Sequence, residues 1–252
     1  MRWLNTYSLS GVWQVLQGHG LHLRSARMRQ WSPDPDYASK RAHLLDCMKQ
    51  TAANPETIAF LFWDQMGFYR WPEPAHVWVT AAPTPAPIAE AGSGNNRNNR
   101  QWRLIGTLNT LIGQVDFLDN YIVGRRQVIQ MYQRIADRYS SYEQIFMARD
   151  NWSIHQHPDV VTALQDLPKI RPVWLPTYSP WLDPIEKLRR WLRSTVLKMH
   201  RLAEDWNELL HRVHAFLIQF SRLARPTPLC WALRRGQIGS CNCFSTITIF
   251  DC

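Results

Sequence analysis

Three carboxylates stand at the ends of apolar elements. Asp64 closes the run Ile58-Ala59-Phe60-Leu61-Phe62-Trp63, Asp150 closes a short apolar segment that begins at Ile145, and Glu186 opens a basic helix in Asp183-Pro184-Ile185-Glu186-Lys187. Carboxylates at strand ends and helix starts converge at one edge of a sheet. Their hard oxygens suit Mg²⁺ or Mn²⁺. Two such ions about 4 Å apart, held by shared carboxylates, serve phosphodiester chemistry by activating the attacking oxygen and stabilising the leaving one. In a chain of net charge +9, that donor set points to a metal-dependent enzyme acting on a polyanion.

Each residue also has a plainer role. Asp64 is placed to begin a turn into Gln65-Met66-Gly67. Asp150-Asn151 is turn chemistry. Asp183-Pro184-Ile185-Glu186 reads as a capping box, with Asp183 at the N-cap, proline at N1 and Glu186 at N3. Glu186 also shares a flank with Arg190 and Arg193, while Ile185, Leu188, Leu192 and Met199 mark the core side. Surface salt bridging and metal ligation beside a phosphate track both remain open for it. His155 and His157 flank Gln156 with no cysteine near. That favours positioning or phosphate contact over zinc ligation.

The elements that must carry these residues read as follows. Ser8 or Ser10 caps a helix through Gln17, Gly18-His19-Gly20 ends it, and Leu21 to Arg24 alternates like a strand followed by Arg27 and Arg29. The unit resembles the last helix and wing of a winged helix-turn-helix; an amphipathic N-terminal arm is the alternative. Ser32-Pro33-Asp34-Pro35-Asp36 is a linker and Tyr37 to Ala53 a helix. Ile58 to Trp63, apolar throughout, is a central strand covered on both faces. A short strand pair is expected within Phe68–Ala82, a loop over Pro83–Arg100, and a hairpin from Trp102–Leu108 and Gly113–Leu118. Then come a helix over Arg125–Tyr142, a strand Ile145–Ala148, a helix Pro158–Leu167, a strand Pro172–Leu175, a long helix from Asp183 and a last helix Trp206–Phe220. This is an α/β domain with a mixed sheet flanked by helices, the element order of a ribonuclease H-like fold. The expected domains are 1–31, a partial helix-turn-helix; 32–56, linker and helix; 57–222, the catalytic domain; and 223–252, a divergent, disordered tail.

Composition bounds the rest. The chain has 252 residues, 45% of them hydrophobic, with 13 Trp, enough for one good-sized core. A pI near 9.6 fits a nucleic-acid partner. No membrane span and no signal peptide are read, so the expected compartment is the cytoplasm. Of five cysteines, Cys230, Cys241, Cys243 and Cys252 crowd the end of the chain without the spacing of a zinc site.

Together Asp150-Asn151-Trp152 with His155 and His157-Pro158-Asp159, Trp174-Leu175-Pro176-Thr177-Tyr178, Pro180-Trp181-Leu182 and Pro184-Ile185-Glu186-Lys187 resemble the DDE transposases of bacterial insertion sequences in the six-thirty family, relatives of the mariner transposases. The resemblance runs from about Trp13 to Phe220. It implies a ribonuclease H-like catalytic domain, a triad of Asp64, Asp150 and Glu186, and two Mg²⁺ ions with Mn²⁺ able to substitute. It further implies an N-terminal helix-turn-helix on terminal inverted repeats, cleavage at element ends, strand transfer into target DNA and a homodimer assembled on DNA in the bacterial nucleoid. Arg24, Arg27, Arg29, Lys187, Arg190 and Arg193 are the expected phosphate contacts. Departures are Gln65, where an acidic residue is common, Asp183, where asparagine is usual, and Arg149, where an apolar residue is usual. A truncated N-terminus and decayed C-terminus are expected, leaving open a catalytically decayed DNA-binding remnant or a stand-alone nuclease.

Overall fold

The computed structural model describes residues 8–22, 31–76, 85, 87–93 and 98–223. The chain divides into two units, Met1–Trp31 and Ser32–Cys252. In the first, α1 (Leu9–Gly18) starts where the Ser8 hydroxyl accepts from the Gly11 N–H at 3.1 Å. Gly20 then takes a left-handed φ of 72°, which glycine adopts without strain. Leu21 and His22, where the expected strand begins, carry no strand; residues 23–30, with Arg24, Arg27 and Arg29, lie outside the described residues, as does the tail beyond residue 223.

The second unit is built on a five-stranded mixed sheet. Its strands are β1 (Ile58–Tyr69), β2 (Gln101–Asn109), β3 (Val115–Asn120), β4 (Gln144–Arg149) and β5 (Ile170–Trp174), in the order β3-β2-β1-β4-β5. The hairpin side, β3-β2-β1, is antiparallel, and the β1-β4-β5 side is parallel. The helices are α2 (Tyr37–Ala53), α3 (Arg125–Arg138), α4 (Pro158–Gln165), α5 (Ile185–Leu192) and α6 (Trp206–Leu223).

The apolar run of β1 is covered on both faces, as its composition requires. Phe60, Phe62, Met66 and Phe68 point to one core with α2, α5 and α6, where Leu44, Leu188 and Val213 meet them. Ala59, Leu61 and Trp63 point to the other, against Val128, Met131, Tyr132 and Ile135 of α3. Cys47 is buried in the first core, and burial pushes its thiol up to about 11, so it packs as an inert hydrophobe.

Three expectations are corrected. The strand pair expected within Phe68–Ala82 is not formed over its described part: Phe68 and Tyr69 finish β1 and residues 70–76 hold only a bridge from Glu73 to Lys198, while 77–82 lie outside the described residues. Second, β1 does not end at Asp64. It runs on to Tyr69 because Met66 and Phe68 repeat the buried parity of Phe60 and Phe62 and the segment pairs with β2. Third, the helix after Asp183 is short. α5 ends at Leu192, one π turn follows over Arg193–Leu197, and the Glu73 bridge then fixes the backbone. Among the described residues no helix is long and apolar enough to cross a membrane.

Candidate active site

Asp64 shares its β1 face with Phe62 and Met66, which explains its burial: the side chain is 14% exposed. It marks the position at which β1 parts from β4. The last parallel pair is Phe62 with Ala148. Two residues further along each chain stand Asp64 and Asp150, one inside a strand and one just past the end of its neighbour. Across the antiparallel side, Asp64 faces Gly106, which has no side chain to fill the space.

The third carboxylate comes from α5. Asp183 starts that helix: its Oδ1 accepts from the Ile185 N–H at 3.1 Å. The expected capping box is only half made. The Asp183 N–H is spent on the Pro180 carbonyl, and Glu186 Oε1 turns instead to Arg189 Nη1 at 3.1 Å. The same Nη1 also donates to Asp64 Oδ2. Arg189 therefore joins Asp64 and Glu186, which belong to elements far apart in sequence. Arg190 and Arg193, the expected neighbours of Glu186, are exposed, with Arg193 Nε 3.7 Å from Glu73. Lys187 is exposed on the same helix.

Negative charge is crowded here. Burial pushes the Asp64 carboxyl up to about 6; Arg189 opposes that shift and Glu186 adds to it. Burial, and then the nearby charge of Asp64, raise Asp183 well above the ordinary carboxylate range. Arg189 is itself partly desolvated, yet Asp64, Glu186 and Asp183 together hold it firmly protonated.

Asp150 stands apart from this pair. Its side chain is 64% exposed, and Oδ1 accepts from the Trp152 N–H at 3.2 Å, the turn expected of Asp-Asn. His155 Nε2 lies 4.0 Å from Asp150 Oδ1. Among the described residues, no three His, Cys, Asp or Glu side chains are gathered at metal-holding distance. The structure thus brings Asp64 and Glu186 onto one cation and aligns Asp150 with Asp64 by strand register, without drawing the three into one cluster. The donor chemistry nevertheless fits a hard divalent cation: the side chains are carboxylates, and a positive group already lies between two of them, Asp64 and Glu186.

His155 is buried, and burial with the Arg149 charge lowers its pKa to about 3, so its ring is neutral. Arg149 Nη1 donates to the Tyr132 hydroxyl, which leaves the Tyr132 proton for His155 Nδ1 at 3.1 Å. The remaining His155 N–H, on Nε2, then faces Asp150. His157 acts one turn later: its Nδ1 accepts from the Asp159 N–H at the start of α4, and Nε2 lies 3.3 Å from Arg125 Nη1. Thr177 ties the loops together. Its N–H donates to Asp34 Oδ2 at 2.8 Å, and its hydroxyl accepts from Asn151 Nδ2 at 2.8 Å, beside Asp150.

Neither Arg189 nor Tyr132 is named from the sequence; Arg149 enters there only as a departure from the family pattern and Thr177 only within the Trp174–Tyr178 motif, with no role for either. A signal existed for Arg189, since it lies three positions after Glu186 and so on the same helix flank.

Residues 59–210, more than half of the chain, match the DDE superfamily endonuclease family. The insertion element IS630 uncharacterized 39 kDa protein of Shigella sonnei is 28% identical over 119 residues, which are 47% of this chain and 34% of that protein. The chain therefore aligns with about a third of that relative's length. Among solved structures it is similar to the Mos1 transposase paired-end complex with left transposon end, at TM-score 0.57 and 14% identity, covering 88% of this chain and 68% of that one. It is also similar to the Mos1 mariner paired end complex with Mn, at TM-score 0.55 and 15% identity, covering 89% of this chain and 70% of that one. These likenesses assign the mixed sheet to the ribonuclease H-like fold of transposase catalytic domains.

Proposed function

Because the chain belongs to the DDE superfamily endonucleases, we propose that it is a transposase, or the catalytic part of one, that cuts DNA at element ends and joins the freed 3′-hydroxyl to target DNA. The observation that carries this reading is the alignment of Asp64 with Asp150 on neighbouring parallel strands, with Glu186 brought to Asp64 through Arg189.

Asp64, Asp150 and Glu186 would hold two divalent cations, Mg²⁺ or in its place Mn²⁺. The Mn in the similar mariner complex supports that choice. When bound, the ions activate the attacking oxygen and stabilise the leaving one. The chain's own residues prepare the site. The buried faces of β1 and α5 fix Asp64 and Glu186, the Tyr132–His155 bond aims a neutral imidazole at Asp150, and His157 secures the start of α4. In this reading Lys187, Arg190 and Arg193, all exposed, contact backbone phosphates, and Arg24, Arg27 and Arg29 of the N-terminal unit hold terminal inverted repeats as part of a helix-turn-helix. The working form is a homodimer on DNA, one protomer per element end, in the cytoplasm at the nucleoid.

The test uses oligonucleotides built from the genomic DNA flanking the reading frame, with labelled target DNA and Mg²⁺. Joined products support transposition. Cut products alone indicate a nuclease, and DNA binding without either indicates a remnant that has lost turnover.

A further inference from the structure

Between Asp64 and Glu186 lies a group that a metal-holding site does not need, the Arg189 guanidinium. It is held in an unusual way. A single nitrogen, Nη1, serves both carboxylates, Oδ2 of Asp64 and Oε1 of Glu186. The fork that makes arginine–carboxylate pairs strong is not used. Its Nε is buried and has no hydrogen-bond partner among the described residues. Arg189 springs from α5, whose Leu188 and Leu192 are locked in the core, so its stem is anchored at the site, and the side chain as a whole is 23% exposed.

We infer that Arg189 is a resident counter-cation: it holds Asp64 and Glu186 together in the metal-free protein and must leave before a divalent cation can bind there. This rests on the assignment of Asp64 and Glu186 as metal-holding residues. Without a positive charge, the buried Asp64 carboxylate and the partly exposed Glu186 carboxylate that share Arg189 Nη1 would repel one another. With Arg189 in place they stay together, but the same charge repels an incoming cation and blocks the oxygens it requires. A doubly charged ion contacting both carboxylates directly outcompetes a guanidinium held through one nitrogen. Arg189 therefore sets the cation concentration at which the site loads and keeps the empty site from collapsing or opening.

The test is Mn²⁺ affinity, read by electron paramagnetic resonance on the whole chain. Arg189→Gln, which removes the charge, is expected to bind Mn²⁺ about tenfold more tightly or better, the equivalent of breaking a modest ion pair. Arg189→Lys, which keeps the charge, should stay near the parent. Equal or weaker binding by Arg189→Gln, with binding still abolished by Asp64→Asn, overturns the inference and leaves the metal site standing. Binding in the parent that survives Asp64→Asn overturns the metal assignment, and this inference with it. Should Arg189→Gln not fold, ¹⁵N spectra of the arginine side chains in the parent decide the matter. The Arg189 resonance must move on Mg²⁺ addition, and an unchanged resonance at saturation overturns the inference.

Discussion

Asp64 and Asp150 stand two positions beyond the same parallel pair, Phe62 opposite Ala148, so the sheet itself sets one against the other. Glu186 meets Asp64 alone, and only through the Arg189 side chain, from a helix with its own reasons for starting where it does. The separation of roles at that helix start is testable. Glutamine at Glu186 keeps the shape and can still accept from Arg189, a pair at the surface. Glu186→Gln is expected to cost less than about 1 kcal/mol of stability in urea denaturation while lowering Mg²⁺-dependent DNA cleavage by about a hundredfold or more. Cleavage at the parental rate would remove Glu186 from the metal-holding set.

Asp183 separates from Glu186 in the opposite sense. Its carboxyl is buried, raised well above the usual range by that burial, and accepts from the Ile185 N–H, so it serves the helix start. Asp183→Asn should leave both the melting temperature and Mg²⁺ dependence nearly unchanged, and Asp183→Ala should cost about 1 kcal/mol through the lost cap. A loss of Mg²⁺ dependence in the asparagine variant would make Asp183 a ligand instead.

Arg149 is a buried cation with no carboxylate in salt-bridge contact among the described residues. Its Nη1 donates to the Tyr132 hydroxyl, and the guanidinium lies over the Trp174 ring at 4.3 Å from the centroid. Tyr132→Phe should cost about 1.5–3 kcal/mol, the penalty for stranding a charged donor. Most of that should return in the double variant Tyr132→Phe with Arg149→Met. Equal costs in the single and double variants, measured by chemical denaturation, would show that the pair is not coupled.

His214 and Asp119 give a pH signature far from the site. His214 Nε2 lies 3.1 Å from Asp119 Oδ2, and that carboxylate raises the His214 pKa. Burial works against Asp119, but His214 and the Trp102 indole hold it below its usual value. Because the folded chain binds the His214 proton more tightly than the unfolded chain, the stabilisation is complete below about pH 6.5 and fades as pH rises through the raised value. The Asp119 contribution fades in the other direction, as pH falls below about 3.9. Melting curves between about pH 5 and pH 9 should show the upper decline in the parent and a flatter profile in His214→Phe. Identical profiles would contradict the pairing.

What the sequence made legible follows from what is local. The apolar run Ile58–Trp63, the hairpin and the order of helices and strands are each written in short-range periodicity, and the sheet has the expected mixed character. The capping role of Asp183 is likewise local. The end of β1 was misread because a lone carboxylate after six apolar residues looks like a boundary. Pairing with β2 carries the strand past it. Helix α5 was read as long because its amphipathic spacing continues, whereas the tie between Glu73 and residues 197–199 turns the backbone away. The contacts of Arg189 with Asp64 and of Thr177 with Asp34 are not legible in the sequence, because these partners are distant along the chain and only the fold brings them together.

The central claim, that Asp64, Asp150 and Glu186 hold divalent cations, is tested most directly by anomalous diffraction from crystals soaked in Mn²⁺. The expected result is anomalous density bonded to Asp64, shared with Asp150 and with Glu186, and the Arg189 guanidinium moved away from both Asp64 and Glu186. Mn²⁺ density only elsewhere on the chain, with Arg189 still bridging Asp64 and Glu186 at a saturating soak, would contradict it.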